Sequence, residues 1–199
     1  MWINLGIWQS QLPWNEMAKQ FDALEPQHQS FIEAQHLFFV ATAGPEGRVN
    51  VSPKGMDSLR IVAPNRLLWL NYTGSGNETA GHLLQSNRIT LMWCSFEKRP
   101  QILRVYGSAK TIHKGDSGWA DRASHVNPDV GARQIFDVDF DLVQTSCGYA
   151  VPFMEFVSDR DLLSDVNRDK GEDGLKNYRN EKNRLTIDGM PTGLPQDLS

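Results

Sequence analysis

From about residue 37 onward, apolar residues fall mostly in short runs with a period of two, divided by glycine, proline and asparagine. Leu37-Phe38-Phe39-Val40-Ala41-Thr42-Ala43 predicts a strand, Gly44-Pro45-Glu46-Gly47 a turn, and Arg48-Val49-Asn50-Val51-Ser52 an alternating second strand. Residues 58–62 and 67–72, divided by Ala63-Pro64-Asn65, predict a second hairpin. Further strands are expected over 88–95, 101–112, 141–145 and 149–157, with a short helix over 117–125. The first 35 residues show helical spacing instead (Met17, Phe21 and Leu24, then Phe31 and Ile32), with a break near Pro26. Seven or more short strands joined by tight turns favour a barrel over a doubly wound sheet. The expected architecture is mainly β with flanking helices: N-terminal helices over 1–35, the barrel over 36–157, and a charged C-terminal helix and tail over 158–199, all one structural domain. In the last part Leu175 and Tyr178 are the few apolar positions, so the run reads as a solvated face.

The most informative segment is Leu70-Asn71-Tyr72-Thr73-Gly74-Ser75-Gly76-Asn77-Glu78-Thr79-Ala80-Gly81-His82, a strand passing through a glycine turn into a helix. Ser75 and Glu78 fit a capping box. Small residues let a backbone approach a ligand closely, and the first amides of a helix suit an anion. The segment lacks Gly-x-Gly-x-x-Gly, and His82 stands where a P-loop has lysine. A plain strand-to-helix turn is the competing reading. Upstream, Val49-Asn50-Val51-Ser52-Pro53-Lys54 can present a polar side to a ligand, with Lys54 as a mobile positive charge or simply a solvated one.

Composition narrows the classes. With 199 residues, 40% hydrophobic and 22% charged, the chain has the balance of a soluble globular protein. A net charge of −4 argues against nucleic acid as the main partner. No apolar run reaches the ~20 residues of a membrane span. The N-terminus has no basic residue before Lys19, so a cytoplasmic protein is expected. Two distant cysteines, Cys94 and Cys147, and five scattered histidines indicate neither a disulfide framework nor a metal site. Cys147 has no nearby cysteine or cation, so a structural or ligand-lining role is expected of it. Trp69 and Trp93 are expected as core or interface anchors.

The order of the Lys54-ended strand, the Tyr-Thr-Gly-Ser-Gly-Asn turn, the aromatic strand Met92-Trp93-Cys94 and Arg104-Val105-Tyr106-Gly107 resembles the pyridoxamine 5′-phosphate oxidase-like flavoproteins, over roughly residues 31–156. That resemblance implies a split β-barrel homodimer with FMN at its interface and a small-molecule substrate. It also implies cofactor contacts from Arg48, Val49, Asn50, Val51, Ser52, Lys54, Tyr72, Thr73, Gly74, Ser75, Gly76 and Asn77. Relatives with this barrel also bind haem, and the barrel alone does not discriminate FMN from the deazaflavin F420, which leaves a non-catalytic flavin or haem carrier and an F420-dependent reductase as alternatives. The family's Ser-Arg-Lys phosphate turn is here Ser75-Gly76-Asn77, two cations fewer. Val157 replaces its flavin-contacting tryptophan, and no Arg-x-His substrate pair follows. The chain thus resembles a branch distinct from the authentic oxidase, and its catalytic residues are not identified by the likeness.

Overall fold

A computed structural model describes residues 18–198. The elements are β1 (Ala18–Phe21), α1 (Pro26–Glu33), β2 (Phe38–Thr42), β3 (Asn50–Lys54), β4 (Leu59–Ala63), β5 (Arg66–Tyr72), α2 (Glu78–Gln85), β6 (Ile89–Cys94), β7 (Ile102–His113), α3 (Trp119–Val126), β8 (Ala132–Ser146) and α4 (Leu162–Lys182). The strands form an antiparallel sheet in the order β3-β2-β6-β7-β8-β5-β4, with β1 added to β8. This is the expected mainly β split-barrel architecture with flanking helices.

Strand β8 explains the topology. Its fifteen residues pair with β7 along most of their length, with β5 over its first half and with β1 at its end. Sequence reading expected only residues 141–145 here, because Asp137, Asp139 and Asp141 interrupt the apolar pattern. Asp137 is buried on the opposite face from the barrel core, beneath α3, where two arginines neutralise it. The barrel core gathers Val40, Leu67, Trp69, Leu91, Trp93, Leu103, Val105, Phe136 and Val138, all buried. Trp69 stacks on Phe136 with centroids 4.6 Å apart, so Trp69 and Trp93 are core residues.

Other expectations change. Phe21 lies in a strand, not a helix, because the far end of β8 offers 18–21 an open ladder edge; tertiary pairing outweighs helical spacing. Met17 lies outside the described residues. Pro26 starts α1 at its first turn instead of breaking a longer helix. Residues 149–157 form no strand: the chain there is irregular and largely exposed, with Met154 N–H donating to the Phe96 carbonyl at 3.2 Å. Among the described residues no helix is long and apolar enough to cross a membrane. Helix α4 is kinked at Gly171 (φ 61°, ψ −177°), a backbone conformation that glycine alone adopts readily. Beyond the kink it is not a solvated face, since Leu175 is buried and the following chain returns to the barrel.

Candidate functional site

The polar side of β3 and the turn after β5 meet at a cavity of about 360 Å³. Alternation along β3 turns Asn50, Ser52 and Lys54 into it. Tyr72, Gly74, Ser75, Gly76 and Asn77 line it from the other side, and Trp69, Asn71, Thr79, Arg133 and Glu78, whose carboxylate is engaged by the Ile187 amide, complete the wall. Eight of the twelve positions implied by the resemblance are therefore brought together. The remaining four lie elsewhere. Val49 and Val51 project outward from the edge strand, 71% and 62% exposed. Arg48 pairs with Asp188, which also accepts its amide at 2.8 Å. Thr73 is buried: its amide donates to the Gly131 carbonyl at 2.8 Å, and its hydroxyl accepts from Arg179 Nε at 2.9 Å.

The turn differs locally from the expected capping box. Asn77, not Ser75, is the N-cap, and no side chain caps the helix. The Glu78 carboxylate instead accepts the Ile187 amide at 3.1 Å. The amides of the first helical turn are thus left to a ligand. Gly74 and Gly76 have ordinary negative or extended backbone angles, so the turn does not need them for its conformation. A Cβ at Gly74 would meet nothing within 4 Å, and one at Gly76 only the Glu78 side chain at 3.6 Å. What the two glycines preserve is open space beside the backbone. Gly76→Val is accordingly expected to leave the melting temperature nearly unchanged while weakening anion binding, and Gly76→Ala to do less. Equal, negligible binding effects in both variants would reduce the turn to a structural element.

The charge in the cavity was only partly foreseen. Arg133, 4% exposed, reaches in from β8. Tyr72 pairs with Ala132 and Asn71 with Gln134, so Arg133 is the extra residue of a β-bulge. Bulges re-aim side chains, and this one turns an arginine inward. Its Nη2 donates to Asn71 Oδ1 at 2.6 Å, while Nε and Nη1 are buried without a partner. Burial, with Arg179 nearby, pushes Arg133 down to about 9. Burial, reinforced by Arg133, lowers Lys54 to about 8. Lys54 Nζ sits 5.4 Å from the Trp69 ring centroid. Among the described residues no carboxylate forms an ion pair with Lys54, Arg133 or Arg179. Buried, unpaired cations are costly in isolation, so the cavity is complementary to an anion. Of the two cations missing from the turn, one has a counterpart from elsewhere in the fold, Arg133.

A family model described as pyridoxamine 5′-phosphate oxidase matches residues 24–147, more than half of the chain. The chain belongs to that family. Among its relatives is the pyridoxamine 5′-phosphate oxidase family protein ustO of Aspergillus flavus, 31% identical over 191 residues covering 86% of this chain and 76% of the relative. A solved structure of a putative pyridoxamine 5′-phosphate oxidase from Lactobacillus delbrueckii superposes with a TM-score of 0.51 at 18% identity, covering 64% of this chain and 98% of that one. A pyridoxamine 5′-phosphate oxidase-related, FMN binding protein of Nostoc punctiforme is also similar, with a TM-score of 0.46 at 16% identity, covering 61% and 84% of the two chains. The family match ends at Cys147, before α4 and the tail.

No single-sequence signal marks Arg133, since a bulge is invisible until two strands are paired. Arg179 left a fainter trace. It lies four residues after Leu175, on the same face of the helix as the buried leucine. The Cys94 thiol is buried, and desolvation raises it against the opposing effect of Arg104.

Proposed function

We propose that this chain is an FMN-binding flavoprotein that acts as a homodimeric oxidoreductase on a small organic substrate. One observation carries the reading: Arg133, whose Nε and Nη1 are buried without a partner, lines a cavity that also holds Lys54 and an uncapped helix N-terminus. A phosphomonoester satisfies all three at once. Arg133, Lys54 and the amides around Gly76 and Asn77 would hold the phosphate, and Asn50, Ser52 and Tyr72 offer polar groups for the ribityl chain. When bound, the flavin supplies the hydride chemistry.

The homodimer is supported by what lies uncovered. Val49 and Val51 on the edge strand, with Phe153, Met154 and Val157 beyond β8, are exposed apolar residues of the sort a second copy buries. The free thiols of Cys94 and Cys147 accord with a reducing cytoplasm.

Purified protein is expected to bind FMN, to elute as a dimer, and to bleach when a nicotinamide donor is added without oxygen. Protein that stays colourless in excess FMN would overturn the cofactor. A Soret band would replace flavin with haem, and yellow protein that no donor reduces would make it a carrier.

Lys54 makes the affinity pH-dependent. Lying near about 8 in the ligand-free cavity, it is raised when a phosphate stands beside it, because an opposite charge favours the ammonium. FMN affinity is therefore expected to hold up below about pH 8 and fall as the pH rises beyond it. Lys54→Ala should weaken FMN by about 1–3 kcal/mol and flatten that dependence. Fluorescence titrations across the range check this, and a flat profile in the unmodified protein would remove Lys54 from the site.

A further inference from the structure

The segment beyond Gly171 contacts the glycine turn at Thr73, Gly74 and Asn77 and the following helix at Glu78 and Gly81. Arg179 donates from Nε to the Thr73 hydroxyl at 2.9 Å and from Nη2 to the Ala132 carbonyl at 3.1 Å. Asn183, fully buried, donates from Nδ2 to the Gly74 carbonyl at 2.9 Å. Its own carbonyl accepts from Asn77 Nδ2 at 3.3 Å and from the Thr192 hydroxyl at 2.6 Å. The Ile187 amide holds the Glu78 carboxylate, and Asp188 holds Arg48 at the mouth of β3. The Thr186 methyl fills the notch left by Gly81 on α2, where a Cβ would collide with it. On the near side Asn167 reaches the Thr73 carbonyl at 3.4 Å. None of these C-terminal residues lies within the family-matched residues 24–147.

The turn is therefore gripped from outside the barrel, while its inner face is left open to the cavity. An irregular backbone of small residues has little means of fixing itself, because Gly74 and Gly76 make no side-chain contacts. Its carbonyl at Gly74 is anchored by Asn183 of that segment, and its carbonyl at Thr73 by Asn167 on the near side of the kink. With these two carbonyls held by their donors, the amides of the same peptide groups, those of Gly74 and Ser75, are free to point the other way.

We propose that residues 172–192 are the positioning half of the anion site, with Arg179 and Asn183 fixing the Thr73–Asn77 turn in its ligand-binding geometry. Occupancy of the cavity and docking of this segment are then thermodynamically coupled, and each strengthens the other by the same factor. The proposal rests on the cofactor reading only for the identity of the anion.

Hydrogen exchange on the full chain, with and without saturating FMN and in parallel with pyrophosphate, tests it. Amides of 172–192 are expected to gain protection with either ligand, although the ligand contacts the turn and not the segment. Thr192→Val, a near-isosteric change outside the cavity, is expected to weaken FMN by about fivefold to tenfold, the value of one hydrogen bond. Asn183→Ala should weaken it further. FMN binding with unchanged exchange over 172–192 and unchanged affinity in both variants would overturn the coupling and leave the cofactor reading intact. Protection by pyrophosphate without any FMN uptake would do the reverse. If neither anion binds, both fall.

Discussion

Arg133→Met is expected to make the ligand-free protein more stable and the flavin complex far weaker. The two effects share one origin. In the free protein the guanidinium is buried with Nε and Nη1 unpaired, and only Nη2 has a partner, Asn71. Replacing such a cation by an apolar side chain of similar length removes a desolvation cost, which in comparable buried sites is worth about 1–4 kcal/mol. In the complex the same groups would donate to the phosphate. Two charge-assisted hydrogen bonds of about 1.5–3 kcal/mol each correspond to a loss of about two to four orders of magnitude in FMN affinity. Thermal unfolding without ligand and fluorescence titration with FMN check both halves. A variant that is less stable and binds FMN normally would make Arg133 a structural residue.

Asp137→Ala is expected to do the opposite, costing about 3 kcal/mol of stability while leaving flavin affinity of the folded protein nearly intact. Asp137 is buried in β8 and takes Arg66 Nε and Nη2 from β5 and Arg122 Nε from α3, all at 2.7 Å. Removing it leaves two partly covered arginines facing each other and loosens α3 from the sheet. Burial alone would raise this carboxyl, but the hydrogen bonds from Arg66 and Arg122 hold it below its ordinary value. Its contribution is thus fully present above the unfolded aspartate value of about 3.9 and is lost as the pH falls through the lower folded value. Denaturant midpoints at neutral and acid pH should show a shallower acid loss for the variant. An unchanged midpoint near neutrality would mean the arginines find other partners.

The hairpins and the glycine turn were legible because their determinants are local: alternation, turn residues, and a helix that begins where the glycines end. The 50–54 strand and the 74–77 turn each stood out locally, and the family resemblance joined them into one site. What stayed hidden depends on pairing between distant segments. Strand β1 exists because β8 runs on to Ser146, and the inward arginine exists because β8 carries one residue more than β5 at Asn71. The early half of β8 was obscured by acidic residues whose partners lie on β5 and α3. The polar C-terminal helix read as solvent-facing because its buried side is made of Asn167, Arg179 and Asn183, which bind backbone and a hydroxyl and form no apolar stripe.

Confining the mismatch between β5 and β8 to a single position has a bearing on how such a barrel can diversify. Ladder residues from Gln134 onward keep their partners whatever occupies position 133. A substitution there can therefore change the side chain presented to the cavity without re-registering the strands that carry it.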